Sequence, residues 1–97
     1  MGVEVVVPRQ GTCALGPVLD HLAATGCACV VLMIDGALWP PGRPYPDAWR
    51  EARLKTPAGM VTLARRPDGI ALLVFGNAAD DLRAAQRTIA AALESVL

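Results

Sequence analysis

The chain has one phenylalanine, one tyrosine and one lysine, and its two tryptophans stand ten residues apart. Apart from Phe75, every one of these rings lies in ALWPPGRPYPDAW, residues 37 to 49. Long apolar runs are lacking too. The longest, CACVVLMI at 27 to 34, is far short of the ~20 residues that span a bilayer. The opening MGVEVVV carries Glu4 and is apolar for too few residues to act as a secretory signal. Cysteines number three, an odd count, which argues against a disulfide framework. A soluble, cytoplasmic, reduced protein is therefore expected, with no membrane partner.

Several chemistries lack their residues. RQGTCALG, residues 9 to 16, has neither a Walker lysine nor the downstream arginine spacing of a cysteine-based phosphatase loop. No Ser-His-Asp set, paired carboxylates or dinucleotide fingerprint can be assembled. Cys27 and Cys29 with the single His21 are too few for a four-ligand zinc site. No metal and no cofactor are expected. Charge of one sign is lacking as well: nine basic groups cancel nine acidic ones. That disfavours polyanions, whose binding rests on phosphate contacts.

What is present suits one domain, residues 1–97. Apolar residues make 54% of the chain and charged ones 19%, enough to close a core. Much of the apolar content is small, because seventeen residues are alanine. Buried area per residue is then modest, and a partner subunit could add to it.

Local patterns give the element order. VEVVV, 3 to 7, is β-branched and reads as a strand ended by Pro8. A helix is expected from Pro17, which suits a first helical position, to Gly26, which suits a left-handed stop. ACVVLMI, 28 to 34, is apolar on both faces and reads as a central strand covered on both sides. Asp35-Gly36 is either a tight hairpin turn, with Ala37 to Trp39 returning, or a plain strand exit. A helix is expected over Asp47 to Lys55, with Glu51 and Lys55 as an i,i+4 pair and Thr56-Pro57 as its stop. Residues 59 to 66 and 70 to 75 flank Pro67-Asp68-Gly69 as a hairpin. Asn77 caps a last helix with the apolar stripe Leu82, Ala85, Ile89, Ala92 and Val96. The fold class is thus α/β, with α+β the alternative: a mixed sheet of four or five strands with two or three helices, ordered β-α-β-(β)-α-β-β-α. In its second half this order resembles roadblock-type dimerisation domains, a likeness of element order that no residue motif carries.

Two side chains could carry chemistry. Cys13 lies in the loop before the first helix, where helix N–H groups favour a thiolate or an anion. Asp35 follows a strand end, where an acid or base can sit, although Asp-Gly is also ordinary turn chemistry. They define an alternative reading, a small-ligand or anion-binding enzyme.

The charge distribution says more than the total. Residues 43 to 66 hold six bases against two acids, and the remainder three bases against seven acids. The basic segment adjoins the rings. The proline loop can serve as a lid that folds its rings inward, as an interface, or as a stacking platform for single-stranded nucleic acid. Trp, Tyr and Arg on a stiffened loop suit an interface, where little entropy is lost on docking. The expected function is a non-catalytic, homodimerising interaction module that binds through Trp39, Tyr45, Trp49, Arg50 and Arg53. Its expected partner is a second copy, or another protein, with a small anion in second place.

Overall fold

The computed structural model describes residues 3–8, 14–46, 48–74 and 80–95. Eight elements follow one another: β1 (Val3–Pro8), α1 (Leu15–Ala24), β2 (Val30–Ile34), β3 (Ala37–Leu38), β4 (Glu51–Thr56), β5 (Gly59–Arg66), β6 (Gly69–Val74) and α2 (Asp80–Ser95). The six strands form a single sheet in the order β1-β6-β5-β4-β2-β3. Every neighbouring pair is antiparallel. The α and β content agrees with the expected class, but the sheet is antiparallel and six-stranded, and the described helices are two.

The main difference is β4. Residues 51 to 56 form a strand, where a helix over Asp47 to Lys55 was expected. Glu, Ala, Arg, Leu and Lys are all good helix formers, and tertiary context overrides that weak preference. The deciding pattern is the period of two. Ala52, Leu54 and Thr56 are buried, while Arg53 and Lys55 are exposed. Thr56-Pro57 is then not a helix stop but the entry to a hairpin into β5. The Thr56 hydroxyl donates to the Gly59 carbonyl (2.8 Å) and accepts from the N–H groups of Ala58 and Gly59 (3.1 Å each). Without that helix, the element order that resembled roadblock-type domains is not present.

Asp35-Gly36 makes the hairpin. Both residues have positive φ, 51° and 81°, the conformation that joins twisted strands through a two-residue turn. The Pro67-Asp68 turn likewise joins β5 to β6, with Arg66 opposite Gly69. β2 is shorter than expected and lies next to the edge, not at the centre. It starts at Val30, which is 53% exposed, and it bulges between Val31 and Met33 against β4. Its apolar character on both sides does not reflect cover on both sides.

α1 starts two residues before Pro17, which sits in the first turn, where backbone N–H groups have no partner inside the helix. Its end is a Schellman motif: Gly26 N–H donates to Ala23 O (3.2 Å) and Cys27 N–H to Leu22 O (2.9 Å), with Gly26 at φ 87°. α2 buries Ala85, Gln86, Ile89, Ala90, Ala92 and Leu93. Asn77 and Val96 lie outside the described residues.

Both helices pack on one face of the sheet. α2 touches β1, β5, β6 and α1. A single apolar cluster joins Leu15, Val18 and Leu22 of α1, and Ile89 and Leu93 of α2, to Val7, Val31, Ile34, Leu54, Val61, Leu63, Leu72 and Val74. These strand residues share one side by the alternation of the pairs. The opposite side carries Val6, Met60, Thr62, Ala64, Leu73, Val30, Met33 and Leu38, with Glu4, Glu51, Arg53, Lys55 and Arg66 among them. Neither of the described helices packs on it, although Thr62 and Ala71 on the same side are buried.

Candidate functional site

Three strand ends meet where β2 leaves the sheet, β4 enters it and β5 leaves it. Asp35 fastens them. Its Oδ1 accepts hydrogen bonds from the N–H groups of Arg50 (2.7 Å) and Glu51 (3.0 Å), while its own N–H donates to Glu51 O (2.9 Å). The Glu51 N–H, then that of Arg50, hold the Asp35 carboxyl below its ordinary value of 3.8; the nearby Arg50 charge adds to this. A carboxylate held low is a poor proton donor at neutral pH. The position fits turn chemistry and strand anchoring.

Around Asp35 open two adjoining cavities. One, about 410 Å³, is lined by Asp35, Trp49, Arg50, Arg65, Arg66 and Pro67, with Ala48 at its margin. The other, about 530 Å³, is lined by Asp35, Gly36, Arg50, Glu51 and Arg53. Asp35 and Arg50 belong to both. Four residues singled out in the sequence, Asp35, Trp49, Arg50 and Arg53, thus come together.

Arg65 and Arg66 join them and could not be placed by local pattern. The signal lies in the β4–β5 register. Once Thr56 stands opposite Gly59, Arg50 falls opposite Arg65, and Arg65 N–H donates to Arg50 O (2.8 Å). The Arg65 guanidinium lies over the Trp49 ring, 5.8 Å from its centroid. Arg66 pairs with Glu4 across the sheet, and Arg53 with Glu51 (3.1 Å).

The three rings of the proline loop part company. Trp49 is only 2% exposed and belongs to the core, so its ring cannot anchor a partner at the surface. Trp39 is half-buried against the same cluster. Its indole N–H donates to Arg43 O (3.2 Å), and the Arg43 guanidinium covers its face at 4.0 Å. It also lines an apolar cavity of about 410 Å³ with Val30, Val31, Leu32, Leu38, Pro40 and Pro41. Tyr45 stays 38% exposed and lines none of these cavities. Trp49 therefore packs inward, whereas Trp39 is half-buried and carries the Arg43 guanidinium on its face.

Two of the three thiols lie among the described residues. Cys27 and Cys29 are free and half-buried, and they precede β2 rather than sharing a face of it. The Cys29 thiol donates to Cys27 O (3.3 Å). Burial, then the neighbouring Cys27, pushes its pKa up to about 12, so it stays protonated. Cys13 lies outside the described residues. Among those described, no group of three or more His, Cys, Asp or Glu is placed to hold a metal ion, and no helix is long and apolar enough to cross a membrane. No family model matches the chain, nor does any curated protein or solved structure.

Proposed function

We propose that this chain is a non-catalytic binding domain that pairs with a second copy of itself across the helix-free face of its sheet. The observation that carries this reading is where the apolar surface lies. Of the five large hydrophobic side chains that stay exposed among the described residues, Val6, Val30, Leu38 and Met60 stand on that face, and Tyr45 is the fifth. Exposed apolar side chains gathered on one surface mark interaction sites more often than scattered ones do.

Charge favours a second copy as the occupant, and size sets how firmly it is held. Five strands of five to eight residues and the two-residue β3, at about 4.8 Å spacing, give the face a footprint of at most roughly 24 by 20 Å. At roughly 480 Å² before side-chain relief, such a surface falls below the roughly 800 Å² that each partner gives to a standard interface and suits a weak, reversible dimer. Its charges are mixed, Glu4 and Glu51 with Arg53, Lys55 and Arg66. A two-fold axis can therefore set acids of one copy against bases of the other. Arg53 and Arg66 would lie at the rim, where charge steers docking more than it adds affinity.

The test is the mass in solution. Light scattering over a range of concentrations is expected to give twice the 10.1 kDa of the chain. Replacing the two exposed side chains in Leu38→Glu/Met60→Glu is expected to return it to monomer with an unchanged circular dichroism spectrum. Monomer mass for the native chain at every concentration, or a dimer indifferent to the double substitution, would end this reading.

A further inference from the structure

We propose that Cys27 and Cys29 together bind one soft monovalent metal ion, copper(I), through their two sulfurs. The first support is their place in the fold. Cys27 completes the stop of α1: its N–H donates to Leu22 O (2.9 Å), and the Thr25 hydroxyl donates to the same carbonyl (3.0 Å). Cys29 stands directly before β2, whose Val30 is paired with Lys55 of β4. The Cys-Ala-Cys step is therefore held at both ends, and little ordering is left to do when an ion arrives.

The second support is that the sulfurs are neighbours. The Cys29 thiol turns back along the chain to donate to Cys27 O (3.3 Å). Burial, the Cys27 charge and a hydrogen bond between the two side chains act on the Cys29 thiol, in that order of size, and all raise its pKa. Both thiols are free, and each is half-buried, so an ion can reach them from solvent.

The third support is the softness of the surroundings. Both cysteines pack against the apolar core cluster, and the residue between them is the small, exposed Ala28. Among the described residues, no His, Asp or Glu joins the pair to make a group of three. That shortage excludes a closed zinc site, which takes four ligands. It does not exclude copper(I), which thiolates select and which is stable between two of them in line. On binding, two S–H bonds give way to two S–Cu bonds, both protons pass to solvent, and the copper keeps its charge. The proposal does not depend on the dimer and is tested without it.

In a Cys13→Ser background these two are the remaining cysteines of the chain. Copper(I), kept reduced by ascorbate under argon and buffered by a competing chelator, is expected to bind that variant at one ion per chain and to raise its thermal midpoint. Cys27→Ser and Cys29→Ser should each weaken binding by at least about 100-fold, because losing a ligand costs no less than losing a residue that orients one. Alkylation of the native chain gives a readout that needs no substitution. One equivalent of copper(I) should protect Cys27 and Cys29 together, read by fragmentation mass spectrometry, and excess zinc should leave that protection intact. Protection of one of the pair alone, binding that survives either of these serine substitutions, or displacement by zinc would overturn the proposal.

Discussion

At the scale of single residues, environment has divided chemically similar side chains into different roles. Trp49 and Trp39 leave the same proline loop, yet one is a core residue and the other is capped by an arginine. Full burial of a side chain that large stabilises by roughly 2–3 kcal/mol, which explains why Trp49 faces inward. Asp35 shows the same principle with charge. Its φ of 51° is a left-handed conformation that Asp and Asn tolerate better than other residues with a Cβ. In that position its carboxylate reaches two N–H groups of the neighbouring strand. Protonation weakens both bonds, so the folded-state pKa lies below the unfolded one. The stability it contributes is complete above the unfolded value, about 3.9. It is lost as pH falls through the lower, folded value. Asp35→Asn keeps the shape and the acceptor oxygen but removes the charge. The gap in urea stability between native chain and variant is expected to be present at pH 7 and to close below about pH 4. A gap that does not vary with pH would mean that the charge adds nothing.

At the scale of elements, two glycines should answer the same substitution with opposite sign. Gly69 opens β6 at φ 152°, and a Cβ there would meet the Val7 carbonyl oxygen at 2.2 Å. The obstacle is backbone of the neighbouring strand, which cannot swing aside. Gly69→Ala is expected to destabilise by about 2 kcal/mol or more, read by thermal or urea denaturation. Gly16, in the first turn of α1, has nothing within 4 Å of its Cβ position. Gly16→Ala should be neutral or stabilise by up to about 1 kcal/mol.

The elements also show what local pattern can reveal. The Pro67-Asp68 turn, the Gly26 helix stop and the Ala85–Ile89–Ala92 stripe are legible because each is decided by residues close in sequence, whereas Asp35-Gly36 fits a hairpin and a plain strand exit equally well. Residues 51 to 56, expected as part of a helix, form a strand for a physical reason. A window of six can satisfy a helical i,i+4 pair and a strand alternation together, and only the neighbouring strands choose. The candidate site inherited that ambiguity. Asp35, Trp49, Arg50 and Arg53 stood out by type, but Arg65 and Arg66 became their neighbours only through the hairpin register.

At the scale of the whole molecule, β1 and β2 flank the crossover helix α1 in sequence, yet β6, β5 and β4 separate them in the sheet. Strands β2 to β6 are joined to one another through hairpins and the β2–β4 contact, whereas β1 is joined to them through β6 alone. Local contacts form faster than distant ones, because closing a long loop costs more entropy. Val5→Ala in β1 is therefore expected to speed unfolding and leave the folding rate nearly unchanged. Leu63→Ala in the β5 hairpin should slow folding. Stopped-flow chevrons measure both, and a slower folding arm for Val5→Ala would reverse the order.

The chain therefore makes its first strand long before it makes the seat for it. On the ribosome, residues 3 to 8 leave the exit tunnel without a mate until residue 74 has followed them. Through that interval a valine-rich ribbon waits unpaired, open to chaperones and to the ribbons of sister chains.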